Sequence, residues 1–445
     1  MKFRSKVWII SGLLIILFMF SAIHPVFASK NDLDKNLELQ VLPRGYTEQE
    51  EFITALDSTE TGLSLLYPWE CNPGIYGFTG APLVKFNFPA EFASTSGVLI
   101  GWPSWGCIMP ELTELIRYSA GRMEVTVIIP PQFRQSAETC LINRGITEDQ
   151  LSQIEWVNME LDSIWIRDYG PEIVNGKDKK RHLIDMSYYP QLSNTCNNLF
   201  GRVNDDAAPT NLASIWNTPV YRPQVKLEGG NLLTDGKGTC FRSKKVPNAQ
   251  NCFSGWCYNE TELNEILGQY YNCDVIALES MEGDVIDHID MWMTVISSKT
   301  ILVGSYEPED DPINSAILDR NAQQLKDRGY RVVRVPMPKP YCRQAVMTCV
   351  GKEHLIKSCD QPNTERVWAT YMNSIRLGDT MIVPVYHWVP DDLKEEIMQQ
   401  EQEALRIYQE ELDREFKNSV KVIPVVSDVM IPCQGSVHCV TMTYR

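Results

Sequence analysis

Four turn signals recur at the same point of a repeating pattern: Asn175-Gly176, Asp235-Gly236, Ser297-Ser298 and Gly378-Asp379. Each separates two short runs rich in β-branched and aromatic residues, the signature of a β-hairpin. The hairpins open at Ser163–Asp168, Lys226–Asn231, His288–Ile296 and Tyr371–Arg376, with a polar residue near each start. Stretches of helical spacing and further strand-like runs lie between them, and a long helix is expected from Asp391 to about Phe416. Before the first hairpin, strands at Gly97–Trp102, Glu124–Ile129 and Ile154–Val157 alternate with helical spacing, the first helix beginning at Pro110. Such repetition predicts a radial, propeller-like α/β fold whose polar strand ends meet near one axis. A doubly wound parallel sheet would not carry a hairpin in nearly every unit.

The ends of the chain read differently. Lys2, Arg4 and Lys6 precede an apolar core from Trp8 to Phe20, and Val26-Phe-Ala28 offers small residues before Ser29. Residues 1–28 therefore read as a cleaved secretory signal peptide, with an uncleaved anchor as the alternative. Residues 29–90 read as an N-terminal arm, with a helix at Thr47–Leu56, and 91–445 as one domain. The formal charge of −16 disfavours nucleic acid and anionic lipid and favours cationic ligands. No membrane association is expected once the leader is removed. Thirteen cysteines fit an oxidising, extracytoplasmic compartment, where six disulfides and one free thiol are the simplest arithmetic. Scattered histidines and the lack of paired CxxC motifs disfavour structural zinc, and no EF-hand loop is visible.

Three places carry residues suited to chemistry. Asp168 lies in Trp165-Ile-Arg-Asp-Tyr-Gly-Pro171, where a carboxylate in aromatic company suits a cation, or else bridges Arg167 at a surface turn. His288 and Asp290 are two apart, so on a strand they would share a face as an acid–base pair, or as a hydrogen-bonded structural histidine. Cys439 follows a Gly-containing turn at the start of a final strand-like run. It reads as a nucleophile or as half of a disulfide with Cys433. His438, its neighbour, would face the other way and make a poor base for it.

Taken in order, Trp-x-Arg-Asp-x-Gly-Pro, Glu228-Gly-Gly-Asn231, His288-x-Asp290, an Asn373-bearing hairpin and Gly435-x-x-His-Cys439 resemble the guanidino-group-modifying (pentein) superfamily. Within it the chain is similar to the Porphyromonas-type peptidylarginine deiminase and agmatine deiminase family over roughly residues 90–445. That resemblance implies a five-fold pseudosymmetric αβ propeller. It implies that Cys439 attacks a guanidinium carbon, that Asp168 and Asp290 grip the guanidinium nitrogens, and that His288 serves as acid and base. Glu228, Asn373 and Trp165 would help to position the substrate, and Arg202 falls in the region where such enzymes hold a substrate carboxylate. No metal or organic cofactor is required. The expected activity is conversion of peptidyl-arginine to peptidyl-citrulline outside the cytoplasm. The alternatives are agmatine deimination and a non-catalytic guanidinium-binding protein. A papain-like protease is disfavoured, since its cysteine comes first in the chain and opens a helix.

Overall fold

Short apolar strands interrupted by turn-forming residues build five sheets of one design. In each, an antiparallel pair is extended by a strand running parallel to one of its members, reached through a helix. The clearest cases are Met293–Val295, Thr300–Ser305 and Arg331–Pro336 around the helix Pro312–Asp327, and Ile375–Leu377, Thr380–Val385 and Lys421–Val426 around Lys394–Phe416. The set Leu233–Thr234, Thr239–Ser243 and Asp274–Leu278 follows the same plan with the helix Glu260–Tyr271. The second sheet, in chain order, joins Phe86–Asn87, Glu172–Gly176, Arg181–Ile184 and Val220–Tyr221. In the first, Met442–Tyr444 pairs antiparallel with Gly97–Gly101, which is followed by the parallel strands Glu124–Ile129 and Ile154–Asn158. A Cβ on Gly97 would collide with the Tyr444 ring, so glycine lets this distant strand close the sheet.

This computed structural model describes residues 78–104, 106–188, 202–245, 258–284, 286–344 and 364–445, and the backbone of five two-residue strands besides. The expected leader 1–28, the helix at 47–56 and most of the 29–90 arm lie outside the described residues. The described part belongs to one compact unit, Val41–Arg445. The strand Phe86–Asn87 makes the end of the arm part of the second sheet. Among the described residues no helix is long and apolar enough to cross a membrane.

Local chemistry sets the element limits. Asn259 and Glu262 form a reciprocal capping box at the helix Glu260–Tyr271, which ends at left-handed Asn272. Asp311 caps Pro312–Asp327 by accepting from the Asn314 amide. Three hairpins turn where expected, with left-handed Gly236 and Gly378 and a Ser297 hydroxyl that accepts from the Thr300 amide. The hairpin expected to turn at Asn175-Gly176 instead carries its strand through Gly176. Its turn falls at Lys177–Lys180, where Lys179 is left-handed and the Asp178 carboxylate accepts from the Lys180 amide.

The hairpin starts also differ from expectation, and in a consistent way. Ser163–Asp168 is not a strand; Ile166–Tyr169 forms a helical turn. The stretches after Glu228 and His288 form tight 3-10 turns at Gly229–Asn231 and Ile289–Met291. The last strand begins at Met442, so Cys439 lies in the turn before it. A strand would send polar side chains to alternate faces, whereas a turn of three residues fans them apart. The apolar residues of the turns, including Ile166, Ile289 and Met291, are buried and anchor them.

Candidate active site

Cys439 is wholly buried, in a loop held from three sides. Its carbonyl accepts from the Arg167 amide at 3.1 Å, which ties the loop to the helical turn bearing Asp168. The Asn373 Oδ1 lies 3.2 Å from Sγ and also accepts from the His438 amide at 3.1 Å. The Ser436 amide points at Sγ from 3.4 Å, a donor that would favour a thiolate. Gly435 leaves room for the buried Trp165 ring and for Sγ, both of which a Cβ there would crowd. The sulfur is a free thiol, so the disulfide with Cys433 is excluded; Cys433 is bonded elsewhere. Cys107 and Cys140 are also free, so the described residues hold three free thiols rather than one. The Cys240–Cys273 disulfide ties the strand Thr239–Ser243 to the residue just before its parallel neighbour Asp274–Leu278.

Two acidic clusters flank this loop. In the first, His288 is buried, with Nε2 hydrogen-bonded to Glu228 Oε2 and Nδ1 3.6 Å from Asp168 Oδ1. The turn after Glu228 needs glycine, because a Cβ on Gly229 would overlap the Arg167 carbonyl and the Glu172 carboxyl. In the second, Asp290 Oδ2 stands 2.7 Å from His438 Nδ1 and 4.0 Å from Cys439 Sγ. His438 Nε2 is 2.6 Å from Glu91 Oε2, and Glu91 forms an ion pair with the buried Arg167. His288 and Asp290, expected on one face of a strand, therefore diverge: the 3-10 turn sends the imidazole to one cluster and the carboxylate to the other.

The charges explain how so much acid is tolerated. Burial pushes Glu91 up, but Arg167 and His438 outweigh it and hold its carboxyl down at about 2. Burial and Arg167 depress His438, yet Glu91 and Asp290 prevail and raise it above the ordinary histidine value. Glu172, also buried near Arg167, is pushed up to about 8, mainly by desolvation and then by Glu91 and Asp168. A cavity of about 40 Å³ lies beside Glu91, Arg167, Glu172 and His438. It has room for water.

The structure thus gathers Cys439, Asp290 and Asn373 in one group and Asp168, Glu228 and His288 in another, with Trp165 against the cysteine loop. Arg202 stands differently. It is fully buried at the start of the helix Val203–Ile215, donates to the Tyr188 hydroxyl at 3.0 Å, and is faced by the Asp162 and Asp205 carboxyls. Glu91, Arg167 and His438 were not singled out as functional by the sequence reading. Arg167 does lie inside the Trp165–Pro171 motif and His438 adjoins Cys439, but strand alternation argues for setting that histidine aside.

Comparison with known proteins bears on the family and the fold. The family model described as Porphyromonas-type peptidyl-arginine deiminase matches residues 87–444. A Marinomonas protein provisionally named agmatine deiminase is 24% identical over 388 residues, covering 82% of this chain and 95% of its own. The solved agmatine deiminase of Enterococcus faecalis superposes with a TM-score of 0.61 at 19% identity, over 82% of this chain and 99% of that one. The agmatine deiminase of C. jejuni gives 0.58 at 20% identity, over 83% and 98%. The α/β fold is that of these pentein-type deiminases.

Proposed function

The chain belongs to the Porphyromonas-type peptidyl-arginine deiminase family, a family of guanidino-group hydrolases acting on C–N bonds, and on that premise we propose that it deiminates agmatine. The reading rests above all on the thiol of Cys439 standing beside Asp290 and Asn373. A guanidinium is protonated and resonance-stabilised, so attack on it needs carboxylates to hold the cation and an ionised sulfur to strike it. In the proposed mechanism Asp168 and Asp290 bind the guanidinium nitrogens, and Trp165 and Asn373 shape the pocket around the sulfur. The Cys439 thiolate forms a bond to the guanidinium carbon. His288 gives its proton to the departing nitrogen, the C–N bond breaks, and ammonia leaves a thiouronium on the sulfur. His288 then takes a proton from water as its oxygen attacks that carbon, and the C–S bond breaks to release the ureido product and the thiolate. Glu228, bonded to the imidazole, orients it. No metal or organic cofactor enters these steps. The five sheet units are proposed to close as a five-fold pseudosymmetric αβ propeller, with these residues at its axis.

Arg202 bears on the substrate. Its charge is engaged by Tyr188, Asp162 and Asp205, which supports a substrate without a carboxylate to clamp. Agmatine is such a substrate, and relatives carrying that name agree. Peptidyl-arginine is the second reading, favoured by the leader-like residues 1–28 and the thirteen cysteines, both of which point to export. A colorimetric ureido assay over agmatine, free arginine, and peptides with internal or C-terminal arginine separates the two. Agmatine should give the highest kcat/KM; a preference for arginyl peptides would replace this reading with the second. Product formation by Cys439→Ser at the native rate would remove the mechanism altogether.

A further inference from the structure

The Cys439 loop is encircled by charges that alternate in sign. Arg167 pairs with Glu91, Glu91 with His438 Nε2 at 2.6 Å, and His438 Nδ1 with Asp290 Oδ2 at 2.7 Å. Two contacts close the circle through the backbone: Arg167 Nε donates to the His438 carbonyl at 3.4 Å, and the Arg167 amide donates to the Cys439 carbonyl. Carboxylates only accept hydrogen bonds, and a neutral imidazole donates from one nitrogen only. With a carboxylate against each ring nitrogen, His438 is accommodated as an imidazolium. A proton carrier in a catalytic cycle must give up its proton, and both of these contacts would oppose that. Neither is directed to the sulfur, so a role as base for Cys439 does not fit the geometry.

We propose that His438 is a positioning residue, held by Glu91 and Arg167, that fixes the plane of the Asp290 carboxylate beside the Cys439 sulfur so that a guanidinium nitrogen meets both. The inference rests on the catalytic reading given above and deepens it. A carboxylate is a two-pronged acceptor on a rotatable bond, and forked binding of a planar cation requires its plane to be set. The His438 ring sets it from one side, while the His438 amide, bonded to Asn373 Oδ1, ties the same residue to the group that touches the sulfur. Misplacement of a reacting group by about 1 Å costs on the order of 10²-fold in rate. That is the scale of effect expected.

Two substitutions separate positioning from mere support. His438→Asn presents an amide nitrogen close to where Nδ1 stood, toward Asp290, and gives up Glu91. His438→Gln presents its nitrogen toward Glu91 and gives up Asp290. The proposal expects His438→Asn to keep kcat/KM within about threefold at neutral pH, and His438→Gln to lose about 10- to 100-fold. Equal losses in the two, or full activity in His438→Gln, would overturn it. Glu91→Gln tests the other end of the chain of charges. The charged groups facing His438 are Glu91, Asp290 and Arg167, with Cys439 adjacent in sequence and Glu172 near Arg167. A glutamine in place of Glu91 keeps a hydrogen-bonding group against Nε2, and a neutral imidazole still donates from Nδ1 to Asp290, so Glu91→Gln should lose less kcat/KM than His438→Gln. A loss in Glu91→Gln as large as that in His438→Gln counts against the proposal. A readout without turnover is alkylation of Cys439 by a cationic haloacetamidine relative to neutral iodoacetamide. Preference for the cation should persist in His438→Asn and vanish in His438→Gln. If that pattern holds while the native protein makes no ureido product, the positioning stands and the catalytic reading falls. If product forms but the two variants alkylate alike, the positioning falls.

Discussion

Two buried histidines stand between pairs of carboxylates, and the pairs grip them differently. His438 has both ring nitrogens within 2.7 Å of a carboxylate oxygen, and its near acid, Glu91, is itself paired with Arg167. His288 has a close partner in Glu228, which is 17% exposed, while Asp168 stands 3.6 Å away, beyond a direct hydrogen bond. An imidazole saturated on both sides keeps its proton and acts as a strut. One held closely at a single nitrogen, beside a partly solvated acid, can pass a proton and recover it. Residue type and carboxylate count are the same in the two places; the tightness of the second contact separates them.

Breaking the mobile side of this comparison should have the largest effect. On the proposed mechanism, His288→Asn removes general acid–base catalysis and lowers kcat by about 10²- to 10⁴-fold, with the thermal midpoint little changed. A stopped ureido assay alongside a melting curve checks both parts, and a kcat within tenfold of native would put the proton carrier elsewhere.

The fixed side should show itself in stability before chemistry. Glu91 titrates near 2 in the folded chain against an ordinary 4.5, so its stabilisation is present above the unfolded value and is lost as pH falls through the folded one. The shift corresponds to about 3 kcal/mol at neutral pH as an upper figure. Denaturant titrations from pH 6 down to pH 2 should show native stability falling more steeply than that of Glu91→Gln. Parallel curves would mean that Glu91 is not held as a deep carboxylate.

Gly229→Ala tests the ground between the clusters, since its Cβ would press on both the Arg167 carbonyl and Glu172. Overpacking of this kind costs about 1–3 kcal/mol, and it should depress activity together with stability. Native activity in a destabilised variant would show that the turn after Glu228 has no part in aligning the site. The smallest effect belongs to Glu172. Its folded value is raised to about 8, so its neutral form contributes stability that is full below the unfolded value and is lost as pH rises through 8. Glu172→Gln should therefore gain thermal midpoint relative to native protein at pH 9 and show little difference at pH 5. A constant offset across that range would contradict the assignment.

Much of this was legible in the residues and some was not, for identifiable reasons. Hairpin positions could be read because Gly236, Gly378 and Ser297 impose local turn chemistry that no distant contact needs to assist. The Asn175-Gly176 turn was misplaced because Asp178 and left-handed Lys179 offer a competing turn a few residues later. Cys439, His288, Asp168 and Asp290 stand out as candidates because their order along the chain is distinctive. Their local backbone was misjudged because alternation implies a strand, whereas buried Ile166 and Ile289 anchor helical turns there. Glu91 left no local trace. Its meaning comes from Arg167 and His438, far along the chain, and no periodicity reports that. Strand alternation turns His438 away from Cys439, but nothing local in the sequence shows that Glu91 and Asp290 lie on the side it faces.

The closing strand has a consequence for the life of the molecule. Tyr444 reaches Thr126 at 3.2 Å across a sequence separation of 318 residues, and the strand it belongs to anchors the loop of the buried thiol. A chain still being made can fold earlier sheets as they emerge, since their contacts are nearer in sequence. It cannot assemble the Cys439 loop until residues 442–444 are available to dock on 97–101. On the proposed mechanism the thiol is therefore seated only after the carboxylates and His288 have been made, and a chain interrupted before Cys439 would carry those groups without the proposed nucleophile.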